Sequence, residues 1–315
     1  MKQKPRHYIR MAGLLLSHGT VTFDRIAGNV PIQPVLHDKG LKGMNGNSRR
    51  LAALGIAALL ATGTGATARA AQCGNTSSGF PAWVEQFKQE ASRAGISQRT
   101  LDSAFKNARY ATKTISLDRN QKSFKLSFEQ FMQKRGAASI VSKGKRLKQQ
   151  NAGLFAAIES KYGVPAGPLI AIWGMESGFG SFTGNQHTVS AVATLAYDCR
   201  RSDYFTEQLY ALLQLIQKGW LSPDFKGAAH GEIGQTQFLP ANVARFGADG
   251  DRNGSVNLGS AADALASTAN FLRGHGWSRG GGYQPGQANF GAIQGWNAAG
   301  VYQKAIAVIG AQIDG

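Results

Sequence analysis

Along residues 81–220 the apolar positions recur three and four apart, the spacing of amphipathic helices, and no stretch alternates as a strand would. Trp83, Val84, Phe87 and Ala91 form the first such face. In GISQRTLDSAF, residues 95–105, Ser97 stands as a helix cap ahead of Leu101 and Phe105. The segment 115–133 puts Phe124, Phe128 and Phe131 on one face, an aromatic stripe that reads as core packing. Residues 137–162 continue as helix with a basic outer face. From 220 onward Gly, Asn and Asp rise, which predicts long loops between helices. Two clear helices follow, 261–277 stopped by Gly274, and 300–313 at the end. The expected class is mainly α, with little or no β.

The segment YGVPAGPLIAIWGMES, residues 162–177, departs from the ordinary amphipathic pattern. Pro165 suits a first helical turn, where its missing N–H leaves nothing unsatisfied. Leu169, Ile172, Trp173 and Glu176 stand at i, i+3, i+4 and i+7, so a glutamate shares a face with the most apolar residues nearby. Desolvation disfavours a carboxylate there. The helix is expected to stop at Ser177-Gly178, so its negative end also opposes the charge. Both effects raise the pKa, and a carboxyl protonated near neutral pH is what a general acid requires. The competing reading is that Glu176 caps local backbone or pairs with a buried arginine. Gly178 and Gly180 would leave a wall without side chains for a bulky ligand.

The chain has 315 residues, 43% hydrophobic and 17% charged, enough for one large domain or two small ones, with no collagen or heptad repeat. Its net charge is +17. Residues 49–61, RRLAALGIAALLA, followed by ATARAA at 66–71, have the layout of a secretory signal peptide and are too short to span a membrane. Met44 is its natural start, so 44–71 is expected as signal peptide, 1–43 as an upstream extension, and 72–80 as a linker. Residues 1–71 hold ten Lys/Arg and two Asp/Glu, leaving 25 basic and 16 acidic residues, a net of +9. An exported basic protein meets anionic cell-surface polymers before nucleic acid, for which no motif is present. Gln72, not a small residue, precedes Cys73, so no lipoprotein site is expected. The expected product is periplasmic, monomeric and without a membrane span. Export implies an oxidising compartment, and Cys73 and Cys199 are expected to form a disulfide, the alternative being two free buried thiols.

Four blocks in fixed order carry a resemblance: LDRNQ (117–121), YGVPAGPLIAIWGMESGFG (162–180), GEIGQTQFLP (231–240) and WNAAGVY (296–302). Over roughly residues 80–315 the chain resembles the B-type family of lytic murein transglycosylases, lysozyme-like enzymes of the bacterial cell wall. The resemblance implies an N-terminal helical region (81–155) and a lysozyme-like catalytic domain (156–315). It implies cleavage of the β-1,4 bond between N-acetylmuramic acid and N-acetylglucosamine in peptidoglycan glycan strands, forming 1,6-anhydromuramoyl ends. Glu176 would be the sole acid and then base, with no cofactor for the chemistry. Ser177, Gln235, Gln237, Trp296, Asn297 and Tyr302 are expected to bind substrate. Ala228, Ala229, His230 and Glu232 depart from the family pattern. Glu232 is expected as a solvated loop residue; aimed into the cleft, it would supply a second carboxylate and make a hydrolytic muramidase of the protein. A non-catalytic peptidoglycan-binding protein is the alternative from another class.

DGDRNGS, residues 249–255, matches the first half of an EF-hand: Asp249, Asp251 and Asn253 at positions 1, 3 and 5, Gly254 at 6, and the Ser255 carbonyl at 7. Position 12 is Ser260 where a glutamate is standard. The resembled family closes a longer loop with an aspartate, and Asp263 stands there. The implied ion is a structural Ca2+ held by the 249–263 loop; sodium or an empty turn is the alternative.

Overall fold

The structure is a computed structural model that describes residues 71–120 and 126–315. The expected upstream extension and signal peptide, Ala71 apart, lie outside the described residues, as does Phe124. Among the described residues the chain forms α1 (Phe80–Arg93), α2 (Gln98–Phe105), α3 (Thr112–Arg119), α4 (Phe128–Arg135), α5 (Ala137–Gln150), α6 (Ala152–Tyr162) and α7 (Ala166–Ser177). It continues with β1 (Gln186–His187), α8 (Thr188–Tyr197), α9 (Ser202–Gln217) and β2 (Lys226–Gly227). Then come α10 (Pro240–Phe246), α11 (Ala261–Gly274), α12 (Phe290–Trp296) and α13 (Gly300–Asp314). The mainly α class holds. The two short strands pair antiparallel, Gln186 opposite Gly227 and His187 opposite Lys226, where helical spacing had left no strand before 220.

The helix boundaries follow local chemistry. Ser97 caps α2 by accepting a hydrogen bond from the Thr100 N–H. Ser127 and Gln130 form a reciprocal capping box at the start of α4. The expected 115–133 stripe is not one helix: α3 stops at Arg119 and α4 begins at Phe128, and of the two described stripe residues Phe131 is buried and Phe128 partly open. The expected single helix 137–162 is two. Asn151 interrupts it, its side-chain amide donating back to the Leu147 carbonyl. Pro165 sits at the N-cap of α7, one position before the first turn.

Helix α7 is the centre of the fold. Every residue from Ala166 to Met175 is buried, so the stripe seen in the sequence is one side of a helix enclosed all round. It packs against α13, α5 and α11. The crossing with α13 depends on two glycines: a Cβ on Gly167 would overlap the Gly310 carbonyl oxygen and the Asp314 carboxylate. Asp314 takes the role that Pro165 cannot, accepting the Gly167 N–H at the positive end of α7 (2.8 Å). Lys148 and the Tyr283 hydroxyl hold that carboxylate (3.2 and 2.8 Å).

The expected Cys73–Cys199 disulfide is present. It fixes the start of the described chain to the α8–α9 connection, where Gly74 N–H also donates to the Tyr197 carbonyl (2.9 Å). Beside it two buried aspartates are paired with partly exposed arginines. Asp118 is met by the guanidinium groups of Arg200 and Arg201, and Asp198 by Arg119 at 2.6 Å.

Gly167→Ala is expected to lower stability by about 2 kcal/mol or more, because α7 and α13 would have to separate. A urea unfolding midpoint equal to that of the unaltered protein would show that the crossing tolerates a side chain.

Candidate active site

The last turn of α7 delivers Glu176 to the edge of the core. Gly178 ends the helix in the left-handed conformation (φ 60°), its N–H returning to the Gly174 carbonyl. Glu176 is half-buried. Two donors from the far end of the chain converge on one of its oxygens: Tyr302 OH donates to Oε1 at 2.7 Å and Trp296 Nε1 to Oε1 at 3.1 Å. No hydrogen bond to Oε2 is made among the described residues. Burial raises the Glu176 pKa above the ordinary glutamate range, reinforced by the charge of Glu232; the Tyr302 and Trp296 hydrogen bonds and the nearby Arg135 charge pull the other way without cancelling it. The Tyr302 hydroxyl is held well above its ordinary pKa by burial and by the adjacent Glu176, so it remains a donor.

The aromatic donors are themselves fixed. Trp296 meets Phe238 and Phe271 edge-on, with centroids 5.2 and 5.1 Å apart. Tyr302 is 1% exposed and packs on Phe131 at 5.8 Å. Tyr302, expected to bind substrate, thus offers no open ring face to a sugar, and its hydroxyl serves the carboxyl instead. Asn297 sits at the junction of α12 and α13, its Oδ1 accepting the Ala299 N–H and its carbonyl accepting from Gln303.

Ser177 and Gln235, both expected to bind substrate, are drawn into scaffolding, and Gln237 is tied to it by its amide nitrogen. Ser177 is 5% exposed; its hydroxyl donates to the Gln235 carbonyl (2.5 Å) and accepts the Gly180 N–H (2.8 Å). Gln235 accepts from Trp173 Nε1 at 2.8 Å and donates to the Gly259 carbonyl at 2.5 Å, which occupies both ends of its amide. Gly180 is no open wall either: a Cβ there would press into the Gln235 side chain. Gln237 is 9% exposed with φ 58°, a left-handed backbone that a non-glycine residue adopts at an energetic cost. Its Nε2 donates to the carbonyls of Gly234 (2.7 Å) and Thr183 (3.3 Å), joining this loop to the turn after α7.

Glu232 is a correction. It is 4% exposed, not solvated. One oxygen accepts the His230 N–H (2.9 Å) and the other lies 3.2 Å from His230 Nδ1. Burial would raise its pKa, but the His230 hydrogen bond and charge, with backbone N–H groups, bring it below the ordinary value. The His230 ring also lies 3.9 Å from Asp118. Sequence reasoning quoted Asp118 and Arg119 within a block without a role and passed over the charges flanking Cys199. Acidic and basic residues on both sides of a half-cystine were the available signal. Arg135 was also missed.

In the acidic loop the carboxylate oxygens of Asp249, Asp251 and Asp263 lie within 4.8 Å of one another. Asp263 is fully buried and accepts the N–H groups of Gly250, Asp251 and Asn257 (2.8, 3.3 and 2.7 Å). Asp249 accepts from Asn253 and Gly254, and Asn253 Oδ1 from the Ser255 N–H. Three converging carboxylates are a donor set suited to a hard cation.

The frame is lysozyme-like: helices around one buried helix that ends in a carboxyl. A profile of the transglycosylase SLT domain matches residues 79–286, more than half of the chain, and the protein belongs to that family. Membrane-bound lytic murein transglycosylase B of Escherichia coli K12 is 33% identical over 121 residues, 38% of this chain. That match spans 34% of the relative's own length. SltB3 of Pseudomonas aeruginosa, solved in complex with NAG-NAM-pentapeptide and with NAG-anhNAM-pentapeptide, superposes with TM-scores of 0.69 and 0.70 at 28% identity, covering 75% of this chain and 80% of that one. Slt35 of Escherichia coli, solved in complex with calcium, shares the fold with a TM-score of 0.67 at 21% identity, covering 78% and 96%.

Glu176→Gln tests the raised pKa. Above the ordinary glutamate pKa the folded protein binds more protons at this site than the unfolded chain, so Glu176 costs stability progressively as pH rises. The variant is expected to melt about 3 °C above the unaltered protein near pH 8, with the gap closing near pH 4. A gap independent of pH would contradict a desolvated acid.

Proposed function

We infer that the protein is a lytic transglycosylase that cleaves the β-1,4 bond between N-acetylmuramic acid and N-acetylglucosamine in peptidoglycan. The observation that carries this is the asymmetry of Glu176: both donors engage Oε1. A carboxylic acid with two donors on one oxygen carries its proton on the other. Oε2–H is then the acid that protonates the leaving glycosidic oxygen as the C–O bond breaks. The resulting carboxylate takes the proton of the muramoyl 6-hydroxyl, whose oxygen bonds to the anomeric carbon and closes the 1,6-anhydro ring. The nucleophile belongs to the substrate, so proximity replaces an activated water and one carboxyl suffices. The substrate's N-acetyl group can shield the anomeric carbon meanwhile. Both oxygens of Glu232 are engaged by His230, which supports a single-carboxylate mechanism over a hydrolytic one. The complexes of SltB3 with muropeptides of both forms support the substrate class. Gln237, Trp296 and Asn297 remain the residues of this reading that would meet sugar, and the protein acts on the wall after export.

Mass spectrometry of muropeptides released from purified sacculi tests the activity. Anhydro ends, lighter by one water than muramidase products, are expected, and Glu176→Gln should reduce their release about 10²–10⁴-fold. Reducing-end products would instead assign a muramidase; undiminished release by the variant would remove Glu176 from the chemistry.

We also assign Ca2+ to Asp249, Asp251, Asn253, Ser255 and Asp263, as a structural ion pinning the loop to the first turn of α11. Saturating calcium at about a hundred times its Kd is expected to add about 2.7 kcal/mol of stability, removed by chelator and absent in Asp263→Asn. Melting curves that ignore both calcium and chelator would refute the assignment.

A further inference from the structure

Arg135 occupies the point where three parts of the site meet. It lies in the last turn of α4, whose end is set by Gly136 (φ 68°) returning its N–H to the Met132 and Gln133 carbonyls. Its Nη1 donates to the Met175 carbonyl at 3.2 Å. That carbonyl belongs to the residue before Glu176, in the final turn of α7, where main-chain acceptors lack helical partners. The same guanidinium lies 5.3 Å from the ring centroids of both Phe131 and Tyr302. Tyr302 is the 2.7 Å donor to Glu176. One half-buried cation therefore touches the helix end that carries the acid and the ring that orients it.

We propose that Arg135 is a positioning residue that registers Tyr302 against the end of α7 and stabilises Glu176 in its carboxylate state, so that the N-terminal helical region supplies part of the acid–base machinery. The proposal deepens the functional reading above and rests on Glu176 being acid and then base. That sequence needs both protonation states within one turnover. Burial and the negative end of α7 favour only the acid. A cation at a helix C-terminus offsets the dipole, and this one does so from behind Tyr302, leaving Oε2 to the substrate. Arginine suits the place better than lysine, since a planar guanidinium can stack on a ring while donating an in-plane N–H.

The charged and titratable groups around Glu176 come from several elements. Arg135 faces it from α4, Tyr302 from α13, and Glu232 from the loop before α10. Lys143 of α5 lies over the Phe179 ring at 4.7 Å, beyond the helix end. Asp314 and Lys148 are at the opposite end of α7. At the carboxyl, Arg135 and Glu232 act in opposite senses, the first favouring the carboxylate and the second the acid.

The test is a pH–rate profile on purified sacculi with Arg135→Met, Arg135→Gln and Arg135→Lys, together with a 13C NMR titration of the Glu176 carboxyl. Loss of the charge in the Met and Gln variants should move the alkaline limb and the NMR midpoint up by about one pH unit. kcat should fall about tenfold with KM changed less than about twofold. The Lys variant should keep the limb near its original position. If the methionine variant fails to fold by circular dichroism, the glutamine variant decides. A limb and a midpoint that stay in place in a folded, charge-deleted variant would overturn the proposal, whatever the loss of rate. The carboxyl titration does not require murein cleavage. Absence of anhydro products from the unaltered protein would thus strike the activity and leave this test standing.

Discussion

Two neutral donors on a single carboxylate oxygen are the constraint around which the rest of the structure is arranged. Tyr302 and Trp296 reach Glu176 across sequence separations of 126 and 120 residues. Their placement is a packing problem before it is a chemical one. Tyr302 moves with α13, and α13 is set against α7 by the Gly167–Gly310 approach and by Asp314 at the far end of α7. Trp296 is wedged between Phe238 and Phe271. A slide of either helix by a fraction of an ångström would lengthen a 2.7 Å hydrogen bond, so core complementarity and proton placement are the same requirement.

The other buried acids show what Glu176 is not. Asp118 and Asp198 are each held by arginine, Glu232 by His230 on both oxygens, and Asp263 by three backbone N–H groups. Each finds hydrogen-bonding or charged partners, as a buried carboxylate requires. Among the described residues, Glu176 receives its hydrogen bonds from two neutral donors on one oxygen, with Arg135 one ring away. The difference separates acids that hold the fold from the one left able to exchange a proton.

Much of this was legible in the sequence for a physical reason. The 3.6-residue period survives in α1, α2, α11 and α13 because each of them has one face on the core. The position of Glu176 at the end of an apolar helix could be read from Pro165 and Gly178 alone. Ser177, Gln235 and Tyr302 could be located but not given their tasks, since a side chain that binds sugar and one that binds backbone have the same composition. Each makes a hydrogen bond to a partner 58 to 126 residues away, which no local pattern encodes. Arg135 was hidden for the same reason: in its own helix it is one more basic residue beside Lys134. Glu232 reads as polar and loop-borne, and its burial rests on the His230 N–H and ring, which no local pattern announces.

That burial bears on the chemistry. For Glu232 to activate a water it would have to release the His230 ring or the His230 N–H, leaving a buried carboxylate short of a partner. Removing one partner from such a pair typically costs several kcal/mol. In the mechanism inferred above, a substrate hydroxyl tethered to the reacting ring would ask for no such release, because its attack would use the carboxylate form of Glu176. At the Glu176 carboxyl the charge of Glu232 favours the acid and that of Arg135 the carboxylate, the two states that the mechanism inferred above would require. A second carboxylate in the neighbourhood is thus compatible with single-acid chemistry, provided it stays bound to its own histidine.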